Sequence, residues 1–219
     1  MRYPFNEVYS LSELNHPIPS TIIQEQISEG VHVYSLAKGT SMSPESFDFY
    51  KMLFVKSGKF RVTVKNEKEG PIVNEIALNE GIITPRNKII AIEAIEDSVY
   101  LEVMLGQIVN HTIEKPCDVF NVGDIGQYEE GKWIETPIII SGFAEVKMIT
   151  FEKTCEPLEK ILPADALMFV YEGNGVIECN DKPVHIKTAD SMRFMKGTHV
   201  KLYPKDGNMK IGVTQFFLG

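Results

Sequence analysis

The sequence predicts an all-β chain of two antiparallel β-barrels in tandem. Three observations carry that expectation: short apolar runs of strand length, turn signals at regular spacing between them, and a pattern that occurs twice. The clearest stretch is 167–200, LMFVYEGNGVIECNDKPVHIKTADSMRFMKGTHV. The duplication shows at Gly58, which follows Phe54-Val55-Lys56-Ser57 as Gly173 follows Phe169-Val170-Tyr171-Glu172, an offset of 115 residues. That offset also pairs Val31 with Val146 and Lys38 with Lys153 without gaps. Upstream, VYSLSEL from Val8 parallels VFNVGDI from Val119 at an offset of 111.

In chain order, residues 1–28 enter through Val8-Tyr9-Ser10-Leu11. They pass Pro17 and Pro19, which impose an irregular extended path, before an edge-strand candidate at 22–27. Residues 49–55 form the strand before Gly58, and 59–65 alternate Phe60, Val62 and Val64 with polar side chains. The segment 66–71, NEKEGP, reads as a solvated loop and Asn79-Glu80-Gly81 as an acidic turn; strands follow near 82–85, 89–95 and 99–105. A linker breaks near 106–116. Trp133 then opens an apolar run to Ile140 and is expected to pack in a core or between domains. In the second repeat, Leu167 to Tyr171 are large and apolar, and Gly173 and Gly175 permit a sharp turn. Asn180-Asp181 has the residue types of a two-residue hairpin, and Pro183, without an N–H, suits its outer side.

The string FVYEGNGVIECNDKPVHIKTADSMRFMKGTH has Gly173 closing one motif, Ala189-Asp190 at the acidic turn, and Gly197 and His199 ending a second. It resembles the core of the cupins, small jelly-roll β-barrels. With the repeat, the chain resembles a two-domain cupin, or bicupin: a tandem duplication of two cupin-type jelly-roll barrels, at 1–106 and 107–219. The resemblance implies a metal set of two histidines one residue apart, a glutamate seven residues before the turn glycine and a third histidine in the second motif. Those positions hold Lys51 in the first repeat and Ala166 in the second, with no histidine at 44–47 or 159–162; only His199 matches. No metal and no cofactor are therefore expected. A nonstandard metal site would have to be built from Glu159 and His199, with oxygen from Asp165 or Glu178.

Composition narrows the function classes. With 43% hydrophobic residues in 219 the chain can bury a core, and a net charge of −8 argues against nucleic acid, whose phosphates need clustered Lys and Arg. No apolar run has the length of a membrane span, and MRYPFNEVYS lacks a signal-peptide core, so a cytoplasmic protein is expected. Cys117, Cys155 and Cys179 are too scattered for a disulfide framework or zinc site and read as reduced core thiols. His16, His32, His111 and His185 read as structural or solvated. No nucleophile elbow, phosphate loop or dinucleotide fingerprint is present.

The leading expectation is a metal-free bicupin that binds a small organic ligand, such as a sugar or metabolite, in the mouth of the second barrel. Met168, Phe194, His199 and Tyr203 are its ligand-binding residues. One alternative is an enzyme: an isomerase or oxygenase with altered metal ligands, or a metal-free sugar-nucleotide epimerase or isomerase. For the latter the resemblance implies a histidine–tyrosine pair, met here by His199 and Tyr203. Another is a structural role in which barrel edges pair two chains into a homodimer. Catalytic residues are not assigned, and a membrane partner is not expected.

Overall fold

The computed structural model describes residues 2–66, 70–111 and 116–217. The core of the predicted loop at 66–71 lies outside the described residues. The chain runs β1 (Val8–Ser10), α1 (Leu11–Leu14), β2 (Ile22–Ser28), β3 (Val31–Leu36), β4 (Ser41–Glu45), β5 (Tyr50–Ser57), β6 (Lys59–Val64), β7 (Ile72–Ala77), β8 (Glu80–Thr84), β9 (Ile90–Ala94), β10 (Ser98–Gly106) and β11 (Ile108–His111). It continues through β12 (Val119–Asn121), a 3-10 turn (Val122–Asp124), β13 (Trp133–Ser141), β14 (Ala144–Phe151), β15 (Leu158–Ile161), β16 (Asp165–Glu172), β17 (Asn174–Cys179), β18 (Lys182–Lys187), β19 (Asp190–Phe194), β20 (His199–Pro204) and β21 (Met209–Phe216). No described helix is long and apolar enough to cross a membrane.

Contacts divide the chain into two units. The amino barrel comprises Leu11–Val122 with Ser141–Phe143; the carboxyl barrel comprises residues 2–10, Gly123–Ile140 and Ala144–Phe217. In the amino barrel, a sheet of order β12-β8-β5-β10-β3-β2 encloses a core with a second sheet, β4-β9-β6-β7. Leu53, Val55, Tyr34 and Tyr100 from the first meet Phe60, Val62, Val64 and Ile92 from the second. The carboxyl barrel repeats this with β1-β19-β16-β21-β14-β13 and β15-β20-β17-β18. Its core joins Met168, Val170, Ile211 and Phe194 to Ile177, Ile186, Val200 and Leu202.

The offset-111 segments are β1 and β12, and they play matching parts. β12 pairs with β8 (Phe120 opposite Gly81) and β1 with β19 (Tyr9 opposite Ser191), both antiparallel. The strand preceding each barrel in the chain thus joins the other unit. A division at residue 106 cuts the chain once, whereas the contacts assign residues 2–10 to the carboxyl barrel and 107–122, where described, to the amino barrel.

Local chemistry explains the turns. Asn180 and Asp181 have φ of 49° and 65°, the double left-handed geometry of a tight hairpin, and β18 with Pro183 lies at the sheet edge. Gly58 and Gly173 have φ of 74° and 83°, and a Cβ there would lie 2.0 Å from the Asp97 carbonyl oxygen or 2.2 Å from that of Asn208. Only glycine fits. Trp133 opens β13 and is 37% exposed, which sets aside the first of its two expected placements, a core.

Candidate functional site

Alternation along four neighbouring strands builds a polar row inside the amino barrel. On β5, Leu53 and Val55 belong to the core, so Lys51, two residues earlier, points to the same interior. The same parity carries Glu102 inward with Tyr100 on β10, His32 with Tyr34 on β3, and Thr84 with Ile82 on β8. Register aligns them: His32 is opposite Glu102, and Lys51 opposite Thr84. Strand β4 and the residues after it face this row with Met42, Ser43, Glu45 and Phe47.

Together with Leu53, Ile90 and Ile92 these side chains, His32 apart, line a cavity of about 30 Å³, room for about one or two waters. Lys51 Nζ donates to Glu102 Oε2 at 3.1 Å, and the two side chains are only 10% and 6% exposed. The ammonium also stands 3.4 Å from the Phe47 ring centroid, a cation–π contact. Below, Tyr34 and Tyr100 stack at 5.0 Å, and the Tyr100 hydroxyl donates to Met42 Sδ at 3.0 Å. Burial first, then the Glu102 carboxylate, hold both phenols above their ordinary range. Burial pushes the His32 imidazole down, with Glu102 opposing and Lys51 reinforcing, and its Nδ1 is buried without a hydrogen-bond partner.

The corresponding positions of the carboxyl barrel differ in character. Where the first has His32, Glu102, Lys51 and Thr84, register places Lys147, Val213, Ala166 and Phe194. Lys147 bonds Glu135 at 3.1 Å and reaches Glu145 at 3.6 Å, and Lys160 also pairs with Glu135. Burial would raise the Glu135 carboxyl, but the ammonium groups of Lys160 and Lys147 hold it below its usual value.

The four residues expected to share a pocket divide between two faces. Met168 and Phe194 are packed in the core, 2% and 3% exposed. His199 and Tyr203 alternate on β20 with the buried Val200 and Leu202, and so point out of the barrel. His199 Nε2 lies 3.0 Å from Glu159 Oε1, and the Tyr203 hydroxyl donates to Glu178 Oε1 at 3.3 Å. Asp165 instead accepts from the Lys196 amide at 2.7 Å. Among the described residues no three His, Cys, Asp or Glu side chains group to hold a metal. The donors present do not fit such an ion: the carboxylate position of the amino barrel holds an ammonium. Cys117, Cys155 and Cys179 are free, and burial pushes the Cys179 thiol up to about 11, as suits an inert core group.

No protein-family model matches the sequence, and no curated protein matches it either. Solved structures do. A cupin 2 conserved barrel domain protein from Leptotrichia buccalis superposes with a TM-score of 0.83 over 97% of both chains at 17% identity. The chain has a duplicated cupin fold. Protein Ylba from E. coli matches this chain with a TM-score of 0.62 at 12% identity, over 95% of this chain and 89% of that one. Bacillus subtilis oxalate decarboxylase, a protein with Mn(II) centres, matches with a TM-score of 0.60 at 11% identity, over 97% of this chain and 77% of that one. At these identities the likeness establishes the cupin architecture.

The polar row in the amino barrel was not anticipated from sequence, although its signal was present. Lys51 shares the parity of Leu53 and Val55 in YKMLFVKS, and Glu102 that of Tyr100 in SVYLEVMLG. A charge on the inward parity of a strand marks a buried charge that needs a partner.

Proposed function

We propose that the chain binds a small, neutral, hydroxyl-bearing molecule, a sugar or polyol, at the mouth of the amino barrel. The observation that carries this reading is the nearly buried Lys51–Glu102 pair at 3.1 Å, facing a cavity whose apolar walls are Met42, Phe47, Leu53, Ile90 and Ile92 and whose other polar groups are Ser43, Glu45 and Thr84. A few convergent polar groups in an apolar recess are the usual chemistry of small-molecule sites. An ammonium only donates and a carboxylate only accepts, whereas a hydroxyl does both, so one hydroxyl can bridge the pair. With Glu45 also lining the cavity, one formal positive charge faces two negative ones, which disfavours anionic ligands. A cavity of about 30 Å³ admits one such group; the rest of the ligand lies across the opening, against the partly exposed Phe47 side chain.

Thermal-shift screening of neutral monosaccharides and linear polyols, beside monocarboxylates of similar size, tests the reading. Neutral hydroxylated compounds are expected to raise the Tm and carboxylates to leave it unchanged. Phe47→Ala should weaken a hit about tenfold or more, the effect of removing an aromatic anchor, while His199→Ala should not. Hits confined to anions, or binding lost with His199→Ala alone, would contradict it.

A further inference from the structure

Each barrel carries a lysine on the inward parity of a strand: Lys51 on β5 of the amino barrel and Lys147 on β14 of the carboxyl barrel. These are not equivalent positions, since Ala166 stands where Lys51 would repeat and His32 where Lys147 would. Each ammonium nonetheless faces carboxylates, Glu102 with Glu45 nearby in one barrel and Glu135 with Glu145 in the other. The same electrostatic problem is met twice from different strands. A carboxylate in a barrel interior requires a cation, because one left buried and uncompensated costs several kcal/mol.

We propose that Lys51 is the resident cation of the amino barrel: its head group occupies, permanently and by a covalent tether, a site built to recognise a primary ammonium. The Glu102 carboxylate supplies a charge-assisted hydrogen bond, and the Phe47 ring, 3.4 Å from Nζ, supplies the cation–π face. The apolar walls of Leu53, Ile90 and Ile92 match the lysine stem. An exchangeable divalent ion is then redundant at this mouth. This inference is independent of which ligand binds across the opening.

Lys51→Ala removes four heavy atoms whose chemical equivalent is free n-propylammonium. The thermal stability of this variant is measured in n-propylammonium chloride, in sodium chloride at equal ionic strength and in n-propanol, beside the unsubstituted chain. Propylammonium is expected to raise the Tm of Lys51→Ala by several degrees, saturably, without effect on the unsubstituted chain. Equal rescue by propanol would show that only volume matters, and no rescue would show that no ammonium site exists; either overturns the proposal. Should Lys51→Ala fail to fold, Lys51→Met keeps the stem and removes the charge. Glu102→Gln should then raise the Tm of Lys51→Met while lowering that of the unsubstituted chain. A change of the same sign in both backgrounds overturns the proposal as well.

Discussion

His32 shows how the barrel interior acts on a single side chain. Burial holds its imidazole below the ordinary value of 6.5; Glu102 across the strand pair pulls the other way and Lys51 adds to the depression. The fold therefore favours the neutral ring, and the unfolded chain takes up the proton first as pH falls. Stability from this source is complete above about 6.5 and declines as pH drops below it toward the folded-state value. Melting temperatures between pH 7.5 and 5 should fall, and His32→Gln should flatten that fall; an unchanged slope would assign the acid sensitivity to other groups. Backbone chemistry gives a second residue-scale expectation. Gly58→Ala and Gly173→Ala each force a Cβ to within 2.0 Å or 2.2 Å of a carbonyl oxygen at positive φ. Each should destabilise by roughly 2–4 kcal/mol, by strain and overpacking, measured by denaturant unfolding. A cost below about 0.5 kcal/mol, the scale of an ordinary surface change, would remove the steric account.

At the scale of elements, strand exchange is the feature with a direct consequence. β1 covers the edge of β19, and around it Arg193 stacks on Phe5 at 4.1 Å while the Asn6 amide donates to the Arg193 carbonyl at 2.8 Å. Deleting residues 1–10 removes the buried Tyr3 and Tyr9 and uncovers that edge. A loss of about 3–6 kcal/mol is expected from two aromatic side chains, with hydrogen exchange accelerated in β19 before β5; uniform or unchanged protection would contradict this. The strands and turns themselves were legible in the sequence. Alternation at Phe60, Val62 and Val64, the Asn180-Asp181 hairpin and the edge position of β2 follow from local rules that reach only a few residues. Partner choice was not legible, because VYS at Val8 and VFN at Val119 carry strand propensity and no record of which edge they meet.

Over the whole molecule, duplication preserved the barrel and divided its interior chemistry. One interior row holds Lys51, Glu102, Thr84 and His32; at the matching positions the other barrel has Ala166, Val213, Phe194 and a lysine balanced by Glu135 and Glu145. Resemblance to the cupins pointed to the duplicated fold, and counting the ligand positions of the motifs located Lys51 as a residue unable to serve as a carboxylate. The count could not say that its ammonium would be buried against Glu102 and Phe47, since both partners come from elsewhere in the chain and only the closed barrel brings them together. For His199 and Tyr203 the converse holds: a motif position was recognisable, whereas the alternation with Val200 and Leu202 that turns them outward was not weighed. One ligand per chain is the corresponding expectation, in the amino barrel. Methionine methyl NMR decides this most directly, because Met42 lines that mouth while Met168 and Met192 lie in the core of the carboxyl barrel. Titration with a neutral sugar or polyol identified by thermal shift should move the Met42 resonance and leave Met168 and Met192 in place; shifts at Met168 and Met192 with Met42 unmoved would contradict the account.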